Sequence, residues 1–423
     1  MKRFILFFMV ICIFFAPASF SFAASNTSGS LGNIEWEIKN GVLKISGEGA
    51  LPDFTNDSEN AWRNKKIGYK SIKKVEISDG ITAIGNYCFY GFDGLNTIII
   101  PSTVERIGVN AICSNALKKI EIPASVTSIE TSSFNNSKNL VELVVSEDNE
   151  AYSSSAGMIF SKDMKTLILC PRGKAGKVSV PSGTEILNES CFYSCSKITN
   201  IELPKSINEI QHGAFLMCSS LASISLPEGI SEIPDQCFEN CSKLKNIAIP
   251  GTVTKIGSWA FSGTNIEKIE IPSSVTSLDY ASFYQCASLK EIYLPDSITD
   301  VGVATFMGCT SLKTANISTF FTCHIGYTGI TKEYETSKYI FRDCEKLETI
   351  IVRGGEYISE GAFLGCFNIK SITITPSIIT IYSDAFEENL SVSKITVHCF
   401  KNSKAEEWAT EKGFIIESIE QIE

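Results

Sequence analysis

Histidine is nearly missing from this chain of 423 residues: only His212, His324 and His398 occur. None sits in a His-Glu-x-x-His arrangement, which removes the usual way a helix offers two zinc ligands and a general base. The chain also lacks a Gly-x-Ser-x-Gly elbow, a phosphate-binding loop and a dinucleotide fingerprint. Carboxylates are plentiful but fall at variable turn positions, where solvation is their ordinary role. No enzyme is expected, and no cofactor or metal; a site assembled across distant segments is the one catalytic arrangement left open.

Basic charge is scarce too. Lys2 and Arg3 precede "FILFFMVICIFF", an apolar run of 12 residues, and "SFA" (Ser21 to Ala23) puts small residues where a signal peptidase reads. This pattern predicts a signal peptide over residues 1–23, too short for a comfortable membrane span. Without it, 35 basic residues face 47 acidic ones. The negative balance argues against a nucleic-acid partner and offers no patch for anionic lipid. No later uncharged run has membrane length, and "EKGFIIESIEQIE" carries no apolar tail or wall-sorting motif. An exported chain is expected, secreted or held at a surface by other means, with no membrane span after signal removal.

What the sequence has is repetition. "CFENCSKLKNIAIPGTVTKIG" (Cys237 to Gly257) follows "GAFLMCSSLASISLPEGISEI" and precedes "WAFSGTNIEKIEIPSSVTSL". The shared pattern is Phe-x-x-Cys-x-x-Leu-x-x-Ile-x-Ile/Leu-Pro-x-x-Val/Ile-x-x-Ile. Its aromatic column runs Phe192, Phe215, Phe238, Phe261, Phe283 and Phe306 in steps of 22 or 23. It extends back through Phe89, Ile112 and Phe134 and forward through Phe341, Phe363 and Phe386, twelve anchors in all. A fixed period of this size marks a solenoid, whose coils bury their apolar faces only by stacking.

One coil can be read physically. Ile247 and Ile249 alternate as in a short strand. Pro250 ends it, because proline donates nothing to a ladder. Val253 and Ile256 form a second apolar pair, and the phenylalanine fills the interior. Stacked coils place strands in parallel ladders about 4.8 Å apart, so twelve coils make a rod of about 55–60 Å. The fold class expected is a mostly β solenoid of about 12 coils of 22–23 residues. Its ends read as caps: a hairpin around Asn40-Gly41 in "IEWEIKNGVLKIS", and a short helix in "SKAEEWATEKGF" opened by Ser403 and Glu406 and stopped by Gly413. The expected division is a signal peptide (1–23), an N-terminal cap (24–80), the solenoid (81–398) and a C-terminal cap (399–423).

The cysteines follow the same repeat. Cys195, Cys218, Cys241, Cys286, Cys309, Cys344 and Cys366 all lie three residues after the anchor. Neighbours in such a column stand about 4.8 Å apart, beyond disulfide reach, and favour buried reduced thiols. Cys191/Cys195 and Cys237/Cys241 lie two coils apart, about 10 Å, too far to share a zinc ion that binds sulfur at about 2.3 Å. Cys170, Cys323 and Cys399 fall outside the column. Cys323 is the best candidate among them for a reactive or bridging thiol, and even there an unpaired inert cysteine is the favoured reading.

Two insertions, at about 146–180 and 318–340, break the count, and binding often sits on such loops. In the first, Met158 to Ser161 and Thr166 to Leu169 read as a hairpin about Lys162-Asp163. The second loses its proline and turns aromatic: Phe320, Phe321, Tyr327, Tyr334 and Tyr339 are candidate binding residues, since amphipathic aromatics populate interface hot spots. The favoured reading of the first insertion is a decorated coil and that of the second an extra hairpin packed on the rod, with the second kept as the best local candidate for a contact surface.

"AFLMCSSLASISLPEGISEI" (Ala214 to Ile233), "GMIFSKDMKTLILCPRGK" and "CFKNSKAEEWATEKGF" together resemble the BspA-type leucine-rich repeat family. The resemblance covers nearly all of the chain beyond its signal. It implies exported or surface proteins, some of them adhesins that bind host matrix or microbial proteins. No short ligand-binding motif comes with it. The expected role is non-enzymatic recognition of a protein ligand, with specificity set by outward positions beside the strands, as in "SISLP" and "EIYLP". A structural scaffold of the cell envelope is the alternative.

Overall fold

The computed structural model describes residues 27–55, 61–63, 68–317, 339–386 and 390–420. The signal segment, four of the five candidate aromatics (Phe320, Phe321, Tyr327 and Tyr334), Cys323 and His324 lie outside the described residues.

Each coil runs through an inward strand segment, a proline turn, a second short strand and an aromatic turn. In the coil that opened the repeat, Phe238, Cys241, Leu244, Ile247, Ile249, Val253 and Ile256 are all buried, while Lys245, Asn246 and Ala248 between them are exposed. Burial of one such side chain is worth about 1.5–3 kcal/mol. Identical columns repeat from coil to coil, so strands pair in parallel and in register. Lys255 lies opposite Ser277, and Ser277 opposite Asp300. The longest ladder passes through Glu291–Tyr293, Thr314–Ile317, Thr349–Val352, Ser371–Ile374, Thr396–Cys399 and Ile415–Ser418, parallel throughout.

The segment around Ile247 and Ile249 departs from expectation: both side chains are buried, yet no regular strand forms there. Glu267 N–H donates to Lys245 O (3.0 Å) and Lys290 N–H to Glu267 O (3.2 Å), too sparse a set for a regular ladder. In these coils the opposite side is the regular one, from Glu232–Ile233 to Asp300–Val301.

The phenylalanine rings form a continuous stack. From Phe192 to Phe386, through Phe215, Phe238, Phe261, Phe283, Phe306, Phe341 and Phe363, neighbouring centroids lie 5.0–5.5 Å apart with planes within 18°. Coil spacing fixes this geometry, and each ring pair adds about 0.5–1.5 kcal/mol beyond area burial. The turn carrying the ring uses left-handed residues two before and two after it, such as Gln236 (φ 55°) and Asn240 (φ 60°) around Phe238.

The solenoid makes about 14 turns, two beyond the twelve anchors. One extra turn is N-terminal: Val42–Gly47 pairs in parallel with Lys74–Ile77, and Trp62 takes the anchor place, stacked on Phe89 at 6.3 Å. The other lies in the first insertion. Cys170 N–H donates to Cys191 O as Phe192 N–H donates to Ala214 O, so Cys170 stands in the phenylalanine column. The turn is hidden in the sequence because Cys170 carries no ring and lies 36 residues after Phe134, off the 22- or 23-residue step. At the far end Trp408 lies 5.3 Å from Phe386, so indoles bound the aromatic column at both ends.

The expected hairpins form. Ile34–Lys39 pairs antiparallel with Val42–Gly47 across Asn40 (φ 52°) and Gly41 (φ 76°), both left-handed as a two-residue turn demands. Met158–Ser161 pairs antiparallel with Thr166–Leu169. The terminal helix, Lys404–Lys412, is capped by Ser403 Oγ, which accepts from Glu406 N–H (3.2 Å), and ends at left-handed Gly413.

All thirteen cysteines among the described residues are buried, and none of them is in a disulfide. In the repeat column all but Cys195 donate back to the carbonyl of the previous coil's phenylalanine, as Cys218 does to Phe192 O (3.1 Å), Cys241 to Phe215 O (3.2 Å), Cys309 to Phe283 O (3.3 Å) and Cys366 to Phe341 O (3.1 Å), while Cys195 donates to Cys170 O (3.7 Å), the anchor of the coil before it. Ser137 does the same to Ile112 O (3.3 Å). The column therefore has a polar duty: it satisfies a buried carbonyl that the turn leaves open. Burial pushes Cys218, Cys309 and Cys344 well above their ordinary pKa, and Cys241 up to about 12. No group of three or more metal-ligating side chains occurs among the described residues.

Candidate binding surface

The strand side of the coils presents two or three outward residues per coil at fixed spacing. In the middle coils they form a charge ladder: Lys245 reaches Glu267 (3.3 Å), and Glu267 reaches Lys290 (2.9 Å). Lys290, then Lys245, hold the Glu267 carboxyl below its ordinary pKa. These groups are solvent-exposed, so they contribute little to stability and mainly pattern the surface.

Further along, the pattern changes. Tyr293, the central residue of "EIYLP", is 53% exposed. Its strand partner is Asn316, and Asn316 is paired in turn with Ile351. Arg353 follows Val352, at the place where proline ends the strand in Pro250, Pro272 and Pro295. Without proline's ring there, a long side chain can run back along the face. Arg353 Nε donates to Asn316 Oδ1 (2.7 Å), Nη2 donates to Leu294 O (3.1 Å), and Nη1 lies 3.3 Å from Asp296 Oδ1. Its guanidinium stands 4.7 Å from the Tyr293 ring centre. One arginine thus spans three coils and fixes an exposed tyrosine from beneath.

This cluster lies at the root of the second insertion. The chain leaves the strand side at Ile317 and returns at Tyr339 in the aromatic turn, so residues 318–338 take the sequence place of the second strand. Tyr339 is the one candidate aromatic among the described residues. It is half-buried and left-handed (φ 61°), and its ring sits against Gly361 of the next coil, where a Cβ would come within 2.5 Å. Arg342 lies over the same ring at 5.2 Å. Tyr339 belongs to the aromatic turn and makes no part of the Tyr293 cluster. Sequence reasoning missed Asp296, Asn316 and Arg353; the signal was the arginine at a proline position, two coils away from a tyrosine in an outward strand position.

The first insertion adds a different feature. Its strand Tyr152–Ser155 flanks Glu142–Val145 across an open groove of about 570 Å³, with Lys174 Nζ donating to Ala156 O. Deeper in the same insertion, Arg172 lies over Tyr193 at 4.5 Å, and its Nη2 is buried with no hydrogen-bond partner. Burial pulls its pKa down. A cavity of about 10 Å³ lined by Phe134, Cys170, Arg172 and Tyr193 lies there, room for one water molecule.

Comparison with known proteins agrees with this architecture. The BspA type leucine rich repeat region matches in successive blocks over residues 64–171, 172–288, 217–330, 279–391 and 334–420. Among solved structures, a leucine-rich repeat protein from Bacteroides ovatus is similar at 19% identity, covering 93% of this chain and 100% of its own, with a TM-score of 0.53. A leucine rich cell surface protein from Faecalibacterium prausnitzii is similar at 20% identity, covering 69% and 94%, with a TM-score of 0.40. No curated protein matches. With the repeat, the parallel ladders and the family match in agreement, the chain belongs to the BspA-type leucine-rich repeat family, a protein-interaction repeat module.

Proposed function

We propose that this chain is an exported, non-enzymatic recognition protein, adhesin-like, which binds a host or microbial protein on its strand side around Tyr293 and Arg353. The observation that carries this reading is the immobilised pair: an exposed tyrosine already paired with a fixed arginine loses little entropy on binding, and both residue types dominate interface hot spots. The adjoining segment with Phe320, Phe321, Tyr327 and Tyr334 extends the proposed contact surface. In this reading residues 1–23 are removed on export, and the hairpin about Asn40-Gly41 and residues 399–423 close the two ends of the stack. The surface location given for the Faecalibacterium protein accords with such a route.

The test is binding of the chain from residue 24 onward to immobilised matrix proteins and to bacterial cells. Tyr293→Ala, Arg353→Ala and a deletion of residues 318–340 are compared with it. Saturable binding lost in the two point variants supports the strand side. Binding that survives them but fails with the deletion moves the site to the insertion. Binding unchanged in all three sinks the reading.

One observation favours envelope scaffolding as a second reading. Ile415–Ser418 is the outermost strand of the six-stranded ladder, with Ile415 48% exposed. An open edge of this kind can pair with another chain. Sedimentation that shifts with concentration, abolished by Ile415→Lys, would support it.

A further inference from the structure

The aromatic turns carry a second cluster, on a different part of the coil from the strand-side surface. Trp259, Tyr280 and Tyr284 meet there. The Trp259 ring centre lies 5.3 Å from each tyrosine, and the indole plane stands 63° from Tyr280 and 70° from Tyr284. Tyr280 is 46% exposed, and the other two are half-buried. Trp259 is also left-handed (φ 58°), a costly conformation for a bulky residue. The equivalent place is held by Gly213, Ala281, Ala304 and Gly361 in four other coils, by Gln236 in another, and by a tyrosine, Tyr87 or Tyr339, in two more. Packing of the coil therefore does not call for an indole there.

A carboxylate stands in the adjacent coil. Gln236 N–H donates to Ser258 O and Asn240 N–H to Ser262 O, both at 2.8 Å, so the turn bearing Glu239 is hydrogen-bonded onto the turn bearing Trp259. Glu239 Oε1 accepts from Asn240 Nδ2 (3.3 Å), while Oε2 is buried without a partner. Burial raises its pKa, opposed by Gln236 and His212.

We propose that Trp259, Tyr280 and Tyr284, backed by Glu239, form a binding site for an alkylammonium group. Ring faces attract cations through their quadrupoles, and rings meeting at steep angles surround a compact convex group. A sugar would want a flat platform, which planes 63° and 70° apart do not give. The chain's net charge of −10 points to the same ligand sign.

The experiment follows the indole N–H resonances of the chain from residue 24 onward, with Trp259→Phe identifying the one that reports. Tetramethylammonium and Nα-acetyl-lysine methylamide are titrated in turn. A saturable shift of the Trp259 resonance is expected. Affinity should drop about tenfold in Tyr280→Ala, a change at an exposed residue. It should drop less in Glu239→Gln, which keeps the shape and removes the charge. Response to the lysine analogue assigns the site to a lysine side chain of a protein. Response to tetramethylammonium alone assigns it to a trimethylammonium head group. 3,3-Dimethylbutan-1-ol, an uncharged compound of similar shape, should leave the resonance unmoved. The proposal is overturned if neither cation shifts it, if the neutral alcohol shifts it equally, or if methyl glucoside is the sole ligand that does.

Discussion

Two stretches of one core behave differently. From Phe192 to Phe386 every coil gives a ring to an unbroken stack. One coil earlier the same position is Cys170, and beside it lie a water-sized cavity and a buried Arg172 nitrogen without a partner. The buried side chains also divide there. Ile159 and Leu169 pack with the N-terminal group, while Met158, Phe160 and Leu167 pack with the C-terminal one. A repeat protein's stability is a sum of coil and neighbour terms, so a weak interface localises where the stack can part. The comparison teaches that period alone does not fix cohesion; the identity of the anchor does.

Removing a ring should separate the two stretches most sharply. Phe238→Ala is expected to cost about 3–5 kcal/mol, and Cys170→Ala only about 1 kcal/mol, measured by urea unfolding. Equal costs would break the comparison. Trp36 and Trp62 lie in the N-terminal group, Trp259 and Trp408 in the C-terminal part, so single-tryptophan variants can report each side separately.

The thiols give the next effect. Burial pushes the Cys241 thiol from an ordinary 9.0 up to about 12. A pKa raised by folding contributes stability that is whole below the unfolded value and is lost as pH rises toward the folded one. Stability should hold to about pH 9 and fall between there and about 12, most in the C-terminal part, where the thiol column is densest. A flat profile to pH 11 would mean the thiols are not buried as described. In the native chain the thirteen described cysteines should also resist a thiol reagent at pH 8, and they should react fully in denaturant.

Cys218→Ser should cost no more than about 1 kcal/mol, because a hydroxyl can still donate to Phe192 O. Cys218→Val should cost about 1–3 kcal/mol, since it leaves that carbonyl bare. If valine proves the better substitute, the column is apolar filler and its hydrogen bonds are incidental. The smallest effect belongs to the surface ladder. Glu267→Gln should change stability by less than about 1 kcal/mol, and added salt should erase the difference.

The solenoid was legible because its columns are repeated many times, and repetition averages out local ambiguity. Asn40-Gly41, Ser403 and Gly413 were legible because each residue type matches one backbone demand. The turns anchored by Trp62 and Cys170 were not, since neither keeps the spacing and the ring together. The strand at Ile247 was over-read: alternation reports which side chains are buried, and leaves open whether the backbone makes a full ladder. Arg353 was hidden because its partners, Tyr293, Asn316 and Asp296, lie 37 to 60 positions away in sequence and meet only through the coil period.

The parallel register has a mechanical meaning. The N-terminal turn and the C-terminal strand lie at opposite ends of the stack, so tension between them pulls across the coil interfaces. Such a chain gives way one coil at a time, each releasing about 75 Å of slack. Bound to a partner at one end and restrained at the other, it would yield stepwise under flow, with the interface at Cys170 as the first place to open.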